Sequence, residues 1–354
     1  MTAIAQHILA GAGAVLVLAT LVPFVRTDAW WVRLFDFPRL QIAVLIVVVL
    51  FGLILLGGLG DPWQPILIGL LAASLGWQSY RVFPFTRLAP IQVRDAKACP
   101  AERRFRLMIA NVLMENRDAP ALLALMRAES PDMLLVAEAD EWWDQQLAAG
   151  LKTYHFAVRH PLSNTYGMLL FSRLPLKGVH VRHLVEPDVP SIHAQICLRS
   201  GALIDFYGVH PRPPTPGQDS AERDAELIIV GKMAKKSGRS SIIAGDLNDV
   251  AWSHTTRLFQ RVSAMLDPRI GRGFFATFNA NWPFLRWPLD HVFHDATFTL
   301  CEIRRLSYIG SDHFPMLIEL CHAPTAAATQ EPPSPAPGDA EDARDHVRAG
   351  LRTR

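Results

Sequence analysis

The sequence predicts an α+β layered sandwich preceded by a membrane anchor of three transmembrane helices. Three observations lead there. Half of the 354 residues are hydrophobic and only 19% are charged, too apolar for an ordinary soluble chain and too charged for one wholly buried in a bilayer. The charges are unevenly spread: residues 1–100 carry 7 Lys+Arg and 4 Asp+Glu, residues 101–322 carry 24 of each, and residues 323–354 carry 4 and 5. From residue 105 onwards, short apolar runs alternate with turns and only a few helical stretches, as in packed sheets faced by helices. The expected organisation is an anchor over 1–80, a linker over 81–103, a globular domain over 104–321 and a tail over 322–354. Electroneutrality of the middle segment argues against a protein whose main affinity comes from clamping a long nucleic-acid backbone, which needs a basic face.

The anchor rests on apolar runs at 8–25, 40–59 and 63–80. At about 1.5 Å per residue, runs of this length reach roughly 30 Å, the thickness of the hydrocarbon core. The middle run, LQIAVLIVVVLFGLILLGGL, has no charge and no polar face, which a buried helix of a soluble protein rarely matches. The first lacks the basic leader and the small-residue cleavage site of a signal peptide. The third is short and contains Gly69, Ser74, Gly76 and Gln78, while Trp30, Trp31, Trp63, Trp77 and Tyr80 sit near run ends, where aromatic rings favour the headgroup layer. The basic residues near the spans lie in the first loop (Arg26, Arg33, Arg39) and after the third span (Arg81, Arg87, Arg94, Lys97); the second loop has only Asp61. By the positive-inside rule the N-terminus faces outward and the globular domain is cytoplasmic, in an integral protein of a bacterial inner membrane. Cys99, Cys197, Cys301 and Cys321 are scattered with no CxxC pair, suggesting neither a zinc site nor a disulfide framework, and reduced thiols suit that side.

In the globular domain, strands are expected over 105–112, 133–138, 155–159, 167–172, 192–198, 203–209, 241–245, 289–293, 301–307 and 316–320, each a short apolar run bounded by turn residues. Helices are expected over 120–129, 142–149 and 221–237, the last capped by Asp219 or Ser220. The tail, rich in Ala, Pro and Asp, cannot bury enough apolar surface to fold alone and reads as disordered.

The chemistry is carried by where polar residues fall. Asn111 ends RLMIAN, Glu138 ends PDMLLVAE, His210 ends LIDFYGVH, and Asp246 and Asn248 end SIIAGDLN. Asp290 opens LDHVF, and Asp312 and His313 stand in GSDHFP before the last strand. One such residue is ordinary turn chemistry, but so many at the rims of rigid strands can converge. Glu138, Asp246, Asn248 and Asp312 are hard oxygen donors, suited to Mg²⁺ or Mn²⁺ rather than zinc. With two histidines as proton carriers, such a set suits attack of water on a phosphoester.

GDLN at 245–248, LDHVF at 289–293 and SDH at 311–313, preceded by an Asn strand and a Glu strand, resemble the endonuclease/exonuclease/phosphatase superfamily. The resemblance covers residues 104–321, with every motif in the family's order, and implies a four-layer α/β sandwich of two packed sheets. By position, Glu138 resembles the main metal ligand with Asn111 beside it, Asp246 the carboxylate that activates or orients water, and Asn248 a phosphate contact. Asp290 resembles the acidic partner of His313, which in the family is a base or a phosphate stabiliser. Asp312 would support the metal or that histidine, and His210 matches a leaving-group acid or phosphate contact. Arg173 is open between a structural role and a phosphate contact. Ala137 stands where the family often has Gln, GDFN has become GDLN, and no carboxylate is evident for His210. With the apolar runs, which anchor the chain in the bilayer through residues 8–80, the resemblance implies a membrane-anchored, Mg²⁺- or Mn²⁺-dependent phosphoesterase hydrolysing phosphodiester bonds, nuclease-like. A phospholipid or inositol-phosphate phosphoesterase of the sphingomyelinase kind is the alternative, and an inactive membrane-associated binding module the third reading. The stretch FNANWPFLRWPLD before Asp290 is open between a substrate or membrane rim and simple loop packing.

Overall fold

The computed structural model describes residues 2–56 and 62–352. The N-terminal part comprises α1 (Thr2–Leu21), the short α2 (Trp30–Arg33), α3 (Arg39–Leu55) and α4 (Trp63–Val82). α1, α3 and α4 pack around Leu16, Ile42, Ile46, Val49, Leu53 and Leu71, while Val15, Leu18, Val44, Val48, Phe51 and Ile66 point outward. A bundle apolar inside and out has no face for water. The polar residues that interrupt it are paired internally: Gln78 Nε2 donates to Thr20 Oγ1 (3.0 Å), and the Arg39 guanidinium donates to Gln78 Oε1 (3.1 Å) and to Asp36. Ile4–Phe24 and Trp63–Phe85 are long and apolar enough to cross a membrane; Trp30–Asp36 and Arg39–Leu55 make a third only if this pair, bent by 67°, counts as one span. The end of the second expected run, 57–59, and Asp61 lie outside the described residues.

Beyond the linker follow β1 (Arg104–Asn111), α5 (Ala119–Glu129), β2 (Met133–Ala137), α6 (Glu141–Gly150), β3 (Phe156–His160), β4 (Met168–Ser172), β5 (Leu176–Arg182), β6 (Ser191–Cys197), β7 (Leu203–Val209), α7 (Ala221–Ser237), β8 (Ser241–Asp246), α8 (His254–Ser263), β9 (Asp290–His294), β10 (Phe298–Arg305), β11 (Met316–His322) and α9 (Asp339–Arg352). The strands form two mixed sheets, ordered β10-β11-β1-β2-β4-β3 and β5-β6-β7-β8-β9. Between them lies one core, with Phe105, Leu107, Ile109, Leu135 and Leu170 facing Ile204, Phe206, Ile242 and Val292. The alternate residues Met108, Ala110, Leu134 and Val136 pack under α5 and α6. On the other sheet, Tyr207, Val209, Ile243 and Phe293 pack with α7 and α8. The result is the four-layer helix–sheet–sheet–helix sandwich that the sequence predicts. Because both faces of each sheet are covered, the central strands read as continuous apolar runs.

Local chemistry sets the helix ends. The Asp118 side chain accepts from Ala121 N–H (3.2 Å) to start α5, and that of Ser253 accepts from Thr256 N–H (2.9 Å) to start α8, each satisfying a donor that lacks a partner in the first turn. α7 stops at Gly238, whose φ of 66° is the left-handed conformation common after helices.

Four sequence expectations need correction. The helix α8 is missing from the expected set. The edge strand β5 is missing from the expected set because its residues are mostly exposed, leaving no apolar alternation to read. The tail is not disordered throughout: α9 docks along α7 and buries Ala343 in the core shared with α8. Its composition is polar because only one stripe is covered. Cys99 and Cys321 form a disulfide with Cα atoms 5.7 Å apart. They are 222 residues apart, and spacing could not pair them; the linker runs beside the outer strands, with Ala96 N–H donating to Leu300 O (2.8 Å). Cys197 and Cys301 are free thiols.

The N-terminal helices dock on the sandwich. Trp252 Nε1 donates to Asp36 O (2.7 Å), Trp30 N–H to Asp219 Oδ1 (3.0 Å) and Ser220 N–H to Asp28 O (2.8 Å). Val82 and Phe85 pack with Val250, Ala251, Trp252 and Leu289. The first connecting loop and the segment after α4 therefore both lie against the domain.

Candidate active site

The parallel pairs β1/β2 and β7/β8 point their C-terminal ends to the same rim. β1 and β2 pair Asn111 with Ala137, which sets Asn111 beside Glu138. β7 runs out at His210 beside the end of β8, where Asp246 pairs across to Asp290 at the start of β9. Gly245 makes this approach possible: with φ at 147°, a Cβ there would lie 1.9 Å from Val209 O. Glu138 (φ 59°) and Asn248 (φ 50°) hold left-handed conformations, a cost of order 1 kcal/mol for a residue with a side chain. Both turns aim a side chain off a strand end into the rim.

Asn111 is the hub. Its Nδ2 donates to Glu138 Oε1 (2.7 Å) and to Asp246 Oδ2 (3.0 Å), and its Oδ1 accepts from Leu113 N–H (3.0 Å). His313 Nδ1 donates to Asp290 Oδ2 (2.8 Å), which leaves Nε2 3.5 Å from Asp246 Oδ2. Ser311 positions this histidine, donating its hydroxyl to Asn111 O (2.8 Å) and accepting from His313 N–H (3.0 Å). His210 Nε2 lies 3.9 Å from Asp246 Oδ2, so the carboxylate nearest His210 is the shared Asp246.

Electrostatics separate these groups. Burial raises Glu138 to about 7, with Asp246 and Asp312 adding to it against the Asn111 hydrogen bond. Burial would lower His313, but Asp246 and Asp290 outweigh it and raise that imidazole to about 10. Burial lowers His210 and raises Asp312. At neutral pH the site thus holds a charged histidine and a neutral one on either side of Asp246.

Not every candidate has the expected place. The ligand atoms of Glu138, His210 and Asp246 come within 4.8 Å of one another, as do those of Asp246, Asp290 and His313; Asp312 belongs to neither group. Asn248 spends Nδ2 on Pro211 O (3.0 Å), and its N–H caps Asp246 Oδ1 (3.0 Å), so it ties the His210 loop to β8. Arg173 follows β4, whose antiparallel pairing with β2 puts it at the Met133 end, away from Glu138. Its guanidinium lies over the Tyr154 ring, a structural role. The donors fit a divalent ion: Glu138 and Asp246 offer carboxylate oxygens that Asn111 holds together.

Two further parts complete the rim, and the sequence points only to the second, the stretch before Asp290. Tyr166 lies beside His210, with ring centroids 5.8 Å apart and the Arg212 guanidinium over the phenol ring; Arg212, two residues after His210, is the only signal for it. Phe278 packs on His313 at 5.0 Å and stacks on Trp287. Beyond it Trp282 and Phe284 are 64% and 86% exposed, and Phe284 O accepts from Gln41 Nε2 at the start of α3 (2.9 Å). The aromatic stretch is therefore both loop packing, through Trp287, and an exposed apolar rim beside the start of α3.

Comparisons with known proteins agree with this architecture. The model of the endonuclease/exonuclease/phosphatase family matches residues 108–313. No curated protein matches the sequence. Among solved structures, a humanised zebrafish (D. rerio) TDP2 superposes with a TM-score of 0.52 at 15% identity, covering 62% of this chain and 99% of that one. An endonuclease/exonuclease/phosphatase from Beutenbergia cavernae gives 0.51 at 19%, covering 62% and 72%. The human Nocturnin catalytic domain gives 0.51 at 15%, covering 63% and 96%. At such identities the likeness is one of fold.

Proposed function

Since the chain belongs to the endonuclease/exonuclease/phosphatase family, a group of hydrolases acting on phosphate esters, we propose that it is a membrane-held, divalent-metal-dependent phosphoesterase that cleaves phosphodiester bonds. The observation that carries this is the convergence of Glu138, Asn111 and Asp246 with the His313–Asp290 pair. Glu138, supported by Asn111 and with Asp312 nearby, would hold Mg²⁺ or Mn²⁺, which supplies charge neutralisation at the phosphoryl oxygens. Asp246 then orients the attacking water and takes its proton. His313, charged at neutral pH and held by Asp290, stabilises the phosphoryl group instead of acting as base. His210, kept neutral by burial and 3.9 Å from Asp246, is the candidate to receive that proton from Asp246 and pass it on to the leaving oxygen.

Nuclease-like action is the first substrate reading, in keeping with a zebrafish TDP2 of this fold whose crystal structure is a complex with single-strand DNA product. A second reading, a phospholipid headgroup, is favoured by the Trp282–Leu285 rim, which joins His313 through Phe278 and the anchor through Gln41. In that reading the rim lies in the headgroup layer, as aromatic residues prefer. We read the anchor as three spans with the bent pair counted as one. The seven basic residues near the span ends favour a cytoplasmic domain. The Cys99–Cys321 disulfide favours an oxidising compartment instead, and a topology reporter fused after Arg354 decides between them. The functional test is a panel on the full chain in lipid nanodiscs with Mg²⁺, offering single-stranded DNA, RNA, sphingomyelin and phosphoinositides. Hydrolysis of at least one phosphodiester supports the proposal and selects the substrate. Inertness toward all of them contradicts it.

A further inference from the structure

A second group of histidines and carboxylates lies outside the catalytic rim, beside a cavity of about 680 Å³ between the first connecting loop, α8 and α9. His254 opens α8, and Asp342 and His346 are one turn apart on α9. His254 Nε2 lies 2.7 Å from Asp342 Oδ2, and His346 Nε2 lies 3.5 Å from Asp342 Oδ1. The three ligand atoms fall within 4.8 Å of one another.

Two imidazole nitrogens and one carboxylate oxygen are the donors that zinc prefers, at about 2.0–2.2 Å each, which puts tetrahedral neighbours roughly 3.3 Å apart. The two imidazoles approach different oxygens of Asp342, His254 by a hydrogen bond of 2.7 Å and His346 at 3.5 Å, so an ion would replace the hydrogen-bonded proton and need the carboxylate to turn one oxygen toward both. The other face of His346 is already arranged for a ligand. Its Nδ1 points at Asp28 Oδ1 (3.6 Å) and Asp224 Oδ2 (3.8 Å), and a carboxylate behind a ligating histidine fixes the tautomer that leaves Nε2 free for metal. The ligand atoms of Asp28, Asp224 and His346 also come within 4.8 Å of one another, but Asp224 is paired with Arg223 at 2.7 Å and lies 3.8 Å from Arg33, cations that compete with a metal there. The imidazole pair disfavours Mg²⁺ and Ca²⁺.

We propose that His254, Asp342 and His346 bind one zinc ion that clamps α9 to α8 and, through Asp28 behind His346, to the segment following the first membrane helix, with its fourth position open to the cavity for water or an anionic ligand. The docking of the tail helix is thereby linked to metal supply.

The test uses the full chain in detergent with saturating Mg²⁺, dialysed against zinc chloride, with metal content read by elemental analysis. The wild-type chain should carry zinc that is lost in His346→Ala and His254→Ala and retained in Asp246→Asn, which separates this site from the catalytic rim. Cobalt in place of zinc should give the intense visible bands of a four-coordinate site, absent in the same two variants. Asp342→Asn, nearly isosteric, serves if an alanine variant fails to fold, and should also lose zinc. No zinc retained by the wild type, or zinc unchanged by substitution at His254, Asp342 and His346, overturns the proposal.

Discussion

The molecule assembles histidines and carboxylates in two places by different means. In the candidate site Asn111, Glu138, His210, Asp246 and Asp290 stand at strand ends and His313 on the loop before β11, and the register of β1 with β2 and of β8 with β9 fixes which of the strand-end residues meet. In the α8–α9 group the partners come from two helices that meet only because the tail docks on α7. The rim is held by hydrogen bonds around Asn111, whereas the helical group depends on tertiary packing. A strand-end cluster is therefore preorganised by the core, and a helix-borne one is as firm as the docking of its weakest element.

The largest effect should come from breaking the rim. Glu138→Gln and Asp246→Asn should each lower the turnover of phosphodiester hydrolysis by about a hundredfold or more, the scale for losing a preorganised charged group. Steady-state kinetics check this, and a folded variant with near wild-type turnover would remove its residue from the mechanism. Next, Asp290 and His313 should act as a unit, because the carboxylate works only through the imidazole that it orients. A double-mutant cycle should find Asp290→Ala/His313→Ala scarcely slower than His313→Ala alone; additive losses would show independent roles.

A smaller effect sharpens the contrast from within α7. This helix buries two carboxylates. Despite burial, Asp224 is held below the usual range by Arg223 and Arg33, whereas burial and Glu186 push Glu226 up to about 8, with Oε1 unpartnered. The folded chain keeps a proton on Glu226 that the unfolded chain releases near the ordinary carboxylate value. Stability contributed by this group is thus full at low pH and falls as pH rises toward about 8, by up to about 1.4 kcal/mol per pH unit. Glu226→Gln should match the parent in thermal unfolding near pH 4 and exceed it at pH 8. Equal midpoints at pH 8 would mean that the carboxylate is solvated.

Legibility in the sequence followed the same divide. The sandwich could be read because its central strands are buried on both faces and its site residues flank apolar runs. What stayed hidden depends on contacts between distant segments: the exposed β5 has no apolar period, α9 carries one covered stripe in a polar tail, and Cys99 meets Cys321 only through the path of the linker. The carboxylate nearest His210 could not be named because Asp246 is shared by two histidines, a juxtaposition made by Gly245. The 40–59 run, apolar throughout, produced the helix that needs α2 and a bend to reach span length.

Whether Glu138 and Asp246 organise a metal-dependent phosphodiester cleavage is decided by hydrolysis in the full chain in nanodiscs. Turnover is measured after chelation, before and after adding Mg²⁺, on the substrate found by the panel. The chelated protein should show negligible turnover and recover with Mg²⁺ or Mn²⁺, while Glu138→Gln should not recover at the same metal concentration. Full activity of the chelated, metal-free protein would contradict metal-dependent cleavage at this rim.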